Sequence, residues 1–184
     1  MDKRSLKLRY YGDPILRQKA APVQTVTPEI RDVIGAMFDC MYRERGIGLA
    51  APQVGIAQRI FVVDVETESG ERSKYALVNP VMKETAGSIV GEEGCLSIPG
   101  IHADVKRHAD VVFEALDEQG GVVVVRAEGL LARALQHELD HLDGVLFIDR
   151  LSPIRRKLLE SRLARMQFGE AGKAASSASA SPSF

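Results

Sequence analysis

The stretch that decides the reading is Gly129–Leu142, GLLARALQHELDHL, and within it His137-Glu138-Leu139-Asp140-His141. It reads as a helix, and on a helix residues four apart share a face with Cβ atoms about 5–6 Å apart. His137 and His141 can therefore converge on one ion. Glu138 projects to the side of that face, where a carboxylate serves a metal-activated water instead of ligating. The motif is HExxH, short enough to occur by chance, so the case rests on what surrounds it.

A metal site needs at least a third ligand. Leu142-Asp143-Gly144 extends the motif to HExxHxxG, but the position where the metzincin proteases carry a third His is Phe147. The remaining candidates are His102, His108 and Cys95, the last set in Glu93-Gly94-Cys95-Leu96-Ser97 between two turn-forming segments. A zinc peptidase of another class would draw its ligand from a following helix, yet Glu160 is the only acid in 151–168. A closed structural site would need four protein ligands, usually rich in Cys. Three ligands and a free-standing Glu fit an open, catalytic site better.

Further out, Thr27-Pro28-Glu29 reads as a helix start, with Thr27 as N-cap and Pro28 in the first position. Ile30, Val33, Ile34, Met37 and Met41 then recur at helical spacing towards Arg45, and Gly46 stops the helix. Residues 60–66, 76–82, 109–115 and 121–127 read as strands. A polar stretch, 67–74, splits the first two, and a turn over Asp117–Gly121 splits the last two. Leu151–Gln167 reads as a C-terminal helix. The expected fold is α+β, mostly antiparallel strands around a central helix carrying HExxH, with a C-terminal helix. Its catalytic domain spans 1–168, and 169–184 is an Ala/Ser/Gly tail expected to be disordered.

The 184 residues carry 24 Lys and Arg against 25 Asp and Glu, a net charge of −1 that gives no reason to expect DNA as a partner. No apolar run approaches the roughly 20 residues of a membrane span, and the N-terminal residues do not read as a secretory signal. The two cysteines, Cys40 and Cys95, do not make a disulfide scaffold. The expectation is a cytoplasmic protein.

Three stretches together resemble the motifs of the peptide deformylases, in that family's order and spacing: Gly46-Ile47-Gly48-Leu49-Ala50-Ala51-Pro52-Gln53, Glu93-Gly94-Cys95-Leu96-Ser97 and Gln136-His137-Glu138-Leu139-Asp140-His141. The resemblance covers about residues 6–168. It implies that Cys95, His137 and His141 hold one divalent ion, Fe2+ in the cell, with Zn2+, Ni2+ or Co2+ in some preparations. It implies that water attacks the formyl carbon of an N-formylmethionyl peptide while Glu138 acts as general acid and base, and that formate leaves. The side-chain amide of Gln53 and the backbone N–H of Leu96 would donate to the oxyanion. Gly46, Ile47, Gly48, Gly94 and Ala134 would contact substrate: the glycines allow close approach of its backbone, and Ile47 and Ala134 face its methionine. Glu93 would hold the Cys95 loop by pairing with a cation, with Arg107 and Arg133 as candidates. His102 is a candidate donor to the peptide beyond methionine.

The C-terminal helix carries an apolar stripe, Leu151, Ile154, Leu158, Leu159, Leu163 and Met166. It also carries Arg155, Arg156, Lys157, Arg162 and Arg165 against the single acid Glu160. That is four net positive charges on one helix of a near-neutral chain, and the resemblance to the deformylases, whose substrate emerges from the phosphate-rich ribosome and some of which dock there by a C-terminal helix, implies contact with the ribosome near the nascent-chain exit.

Overall fold

The computed structural model describes residues 6–66, 70 and 72–167. The tail at 169–184 lies outside them. Helix α1 is Pro28–Arg43; strand β1 is Gly48–Ala50; β2 is Ile60–Glu66; β3 is Arg72–Ala86. Then come β4 (Ile89–Glu93), β5 (Ala103–Arg107), β6 (Asp110–Leu116), β7 (Val122–Glu128), α2 (Gly129–Leu142) and α3 (Pro153–Arg165). Short 3-10 turns cover Ala51–Val54 and Phe147–Arg150. The main sheet has the order β1-β2-β3-β6-β7, and β4 and β5 form a separate pair; every pairing is antiparallel.

The helix expected at Gly129–Leu142 has those bounds. It is buried almost all round, as a helix in the middle of a fold must be. Leu131, Ala132, Ala134, Leu135 and Leu142 join Phe61, Val63, Phe113 and Val125 of the sheet in one core cluster. Helix α1 packs Ile34, Met37, Phe38 and Met41 against Leu49, Ile60 and Val62 in a second. A third cluster joins Cys95, Ile98 and Ile101 of the loop before β5 to Phe147, Ile148 and Leu163.

Several expectations are corrected. Thr27 is at the N-cap of α1, but its side chain makes no capping bond. The left-handed residue that ends α1 is Arg45, at φ 61°, and not Gly46. Arg45 N–H donates to Tyr42 and Gly46 N–H to Met41, the two bonds of a Schellman ending, which places Gly46 one residue beyond the left-handed position. Strand β3 begins at Arg72, inside the expected polar break, and runs well past residue 82. It tolerates Pro80 because its register with β6 shifts between Val78 and Val81, and a proline is at home at a bulge. Asn79, left-handed at φ 52°, secures that bulge by hydrogen bonds to both the N–H and the C=O of Val23, at 2.8 and 2.7 Å.

Strand β7 is one edge of the sheet and exposes Val122 and Val124. Strand β1 is the other edge. The C-terminal helix expected from Leu151 begins at Pro153, and the apolar stripe divides: Leu151, just before α3, and Leu163 on it are buried, whereas Ile154 and Leu158 are each 75% exposed.

Candidate metal centre

Helix α2 and the loop after β4 meet at Cys95, His137 and His141. Their potential ligand atoms all lie within 4.8 Å of one another, and all three residues are buried. Cys95 Sγ is 3.3 Å from His141 Nε2, and the two imidazoles meet edge to face at 4.9 Å between centroids. Among the described residues this is the only such cluster, so His102 and His108 stand outside it. Phe147, at the metzincin ligand position, stacks on the His137 ring at 6.2 Å.

The donor set suits a cation. Both oxygens of Glu138 and Nδ1 of His141 are buried without a hydrogen-bond partner, a costly arrangement unless a polar guest completes it. Without a cation, burial pushes the Cys95 thiol up to about 12, against the hydrogen bond from the Ser97 backbone. Burial, and then the charge of Glu93, push the Glu138 carboxyl far above the ordinary carboxylate range. Burial, and then His137, push the His141 imidazole well below its ordinary range. A divalent ion reverses this logic for the thiol, because coordination favours the thiolate.

Glu93 takes both candidate cations. It is fully buried; Arg107 grips both its oxygens at 2.8 and 2.9 Å, Arg133 adds a bond at 2.9 Å, and Nδ1 of His137 lies 3.0 Å away. An acceptor at Nδ1 fixes the tautomer that presents Nε2 to an ion. Burial alone would raise the Glu93 carboxyl, but the hydrogen bonds of Arg107 and His137 outweigh it and hold the group well below the ordinary range. The chain of pairs continues. Arg107 also donates to Asp140 at 2.6 Å, and Asp140 receives Arg150 on both oxygens. The sequence reading assigned no role to Asp140 and Arg150. The only signal was an acid inside HExxH, one turn on from His137 and beside the face that carries the imidazoles.

The Gln53 amide has a fixed orientation. Its Oε1 accepts from Ala50 N–H at 2.8 Å, so Nε2 faces Cys95 Sγ at 3.4 Å and Ser97 Oγ at 3.2 Å. Leu96 follows in the same loop, closed by a bond from Ile98 N–H to Cys95 C=O at 2.9 Å. The bare faces of the three glycines meet the chain's own side chains: Leu96 against Gly46, Glu138 against Gly48 and His102 against Gly94. Ile47 packs half-buried on the core cluster that contains the fully buried Ala134.

A methyl on Gly48 would sit 2.3 Å from Oε1 and 3.1 Å from Cγ of a Glu138 that is itself fully buried. Gly48→Ala is therefore expected to displace the carboxylate and lower kcat about 100-fold, the scale of a 1 Å misplacement. Steady-state kinetics on a folded variant checks this. An unchanged kcat would show that Glu138 moves freely.

An α+β domain whose central helix brings two His and a partnerless Glu against a buried Cys of a neighbouring loop is the frame of a metal-dependent enzyme. The profile of the polypeptide deformylase family matches residues 5–157. The peptide deformylase of Thermodesulfovibrio yellowstonii is 43% identical over 157 residues, covering 85% of this chain and 95% of its own. That of Alkalilimnicola ehrlichii is 46% identical over 161 residues, covering 88% and 90%. The crystal structure of a peptide deformylase from Legionella pneumophila superposes with a TM-score of 0.82 at 40% identity, covering 92% of this chain and 99% of that one. The chain belongs to the polypeptide deformylase family and is an enzyme of that family.

Proposed function

We propose that this enzyme removes the formyl group from the N-terminal formylmethionine of newly made polypeptides, and that residues 1–168 form its catalytic unit. Cys95, His137 and His141 would hold one divalent ion, ferrous iron in the cell. The observation that carries the reading is Glu138, a fully buried carboxylate without a partner beside three converging ligand atoms. When bound, the ion would supply Lewis acidity for the attacking water and the formyl carbonyl. Glu138 takes the proton from the attacking water. The C–O bond forms at the formyl carbon, and the oxygen that gains charge is met by Gln53 Nε2 and the Leu96 N–H, donors of the kind worth about 10²–10³ in rate. Glu138 then passes the proton to the departing amine, the C–N bond breaks, and formate and a free N-terminus leave.

Substrate would enter along β1. Among the described residues that strand pairs with β2 alone, so its other edge is the side an extended peptide would join. Gly46 and Ile47 lead into the strand and Gly48 begins it; with Gly94 they would contact the peptide, and Ile47 and Ala134 would bound its methionine side chain. The test is formate release from formylmethionyl tripeptides beside casein hydrolysis, before and after chelation and anaerobic return of Fe2+. The reading expects formate only, lost on chelation and restored by Fe2+. A rate indifferent to chelation would end it.

The ribosome remains the proposed partner of α3. Three of its cations are already engaged with the domain: Arg155 with the Asp104 carbonyl, Arg156 with Asp149 at 2.7 Å, and Arg162 with the Gly100 carbonyl. The surface not tied to the rest of the domain is Lys157 and Arg165, the latter bonded only within α3 to the Ser161 carbonyl, with the exposed Ile154 and Leu158. Reversing the two cations to Glu and changing the two apolar residues to Ser is expected to abolish co-sedimentation with ribosomes at low salt and leave formate release intact. Binding by the parent should fall steeply with salt. Undiminished co-sedimentation of the variant would remove α3 as the docking element.

A further inference from the structure

A second depression, of about 510 Å³, opens beside α2. It is lined by Lys106, Arg107 and His108 from the end of β5, by Arg150, and by an apolar floor of Met82 and Leu139. Gln136, Leu139 and Asp140 of α2 line it too, with Asp143 that caps the helix. At 100° per residue they form a stripe about a third of a turn away from that of His137 and His141. This pocket is therefore separate from the metal centre.

Its walls are held in place. Gln136, only 5% exposed, accepts from His108 N–H and donates to His108 C=O, both at 3.0 Å, which locks the end of β5 onto α2. Its charges are unbalanced. In the buried network behind it, Glu93 and Asp140 face Arg107, Arg133 and Arg150, two carboxylates against three guanidiniums. Arg150 is the half-exposed member, and its Nε and Nη2 are committed to Asp140. Lys106 adds a second positive charge. Neither it nor the His108 ring has a hydrogen-bond or ion-pair partner among the described residues. The one other acid on the wall, Asp143, is already paired with Arg59 at 2.7 Å. Two uncompensated positive charges above an apolar floor match a dianion carried on a flat or apolar group.

We infer that this depression binds a phosphate monoester, with the phosphate between Lys106, His108 and Arg150 and its organic part on Met82 and Leu139. Cations around a phosphate give charge-assisted hydrogen bonds, roughly twice as strong as neutral ones. A free mononucleotide and the terminal phosphate of an RNA chain share this chemistry.

The probes are adenosine monophosphate, adenosine and a 5′-phosphorylated single-stranded RNA hexamer, titrated into the metal-loaded enzyme at low salt. Binding is read by calorimetry and by the shift of the His108 imidazole resonances. Saturable one-to-one binding of the monophosphate, with none of adenosine, is expected. Lys106→Ala with His108→Ala should weaken it about ten-fold or more while formate release stays at the parent level. Tighter binding of the hexamer than of the mononucleotide would assign the site to RNA ends; the reverse would assign it to a free nucleotide. No saturable binding of either phosphate up to 10 mM ligand (about ten-fold above a weak, millimolar site), or equal affinity in the double variant, overturns the inference.

Discussion

Glu138→Gln is expected to keep the ion and lose about 10²–10⁴ of the rate, the range general acid–base groups contribute. Glutamine has nearly the shape of glutamate, and Glu138 is not among the three converging ligands, so the centre should assemble unchanged. What the amide cannot do is accept a proton and return it. The parent carboxylate is free for that work because neither oxygen is tied to the protein. Metal content and formate release measured on the same preparation separate the two effects. A variant that retained more than about a tenth of the parent rate would show that the proton travels by another group.

The second large effect lies one layer behind the candidate metal centre. Glu93→Leu would leave Arg107 and Arg133, 4% and 6% exposed, without the acceptor they share. Breaking a buried ionic cluster from one side costs about 3–5 kcal/mol. Urea unfolding of the metal-free protein would show it, and a loss below about 1 kcal/mol would mean that water already relieves these guanidiniums. Because Glu93 also orients His137, metal affinity should fall about 10–100-fold even in the milder Glu93→Gln. The carboxyl is held below its ordinary range, so its contribution is fully present above the unfolded value near 4.3 and is lost as the pH falls towards the folded one. Glu93→Gln should therefore flatten the acid side of the stability profile.

The long elements were legible because their patterns match their burial. The apolar residues of α2 and α1 recur with helical period, and the run at Ile60–Val65 is buried on both faces. What was hidden is short or irregular. Strand β1 has three residues, two of them small, and reads as a turn. Strand β4 contains a glycine beside two acids. Strand β3 continues through Pro80 only because a bulge absorbs it. Metal ligands could be proposed from HExxH spacing, but the third had to come from resemblance, since no periodicity links residues 95 and 137. Glu93 with Arg107 and Arg133 was named from the sequence, but the continuation of that ionic chain through Asp140 to Arg150 was beyond reach for another reason. A charged residue in a sequence looks solvated, and only the fold shows that Glu93 and Arg107 are enclosed and Asp140 nearly so.

At the far side of the sheet, β7 leaves its outer row of peptide groups unpaired among the described residues, with Val122 and Val124 bare to water. Proteins commonly guard such a rim with lysine, proline or a bulge, and the stretch VVVV at 122–125 has none of these. Arg126 and Glu128 are the only charges on the strand, both towards its end. An unguarded rim of this kind is a template on which a second molecule can add a strand, and it lies at the edge of the sheet opposite β1, away from the Cys95–His137–His141 cluster.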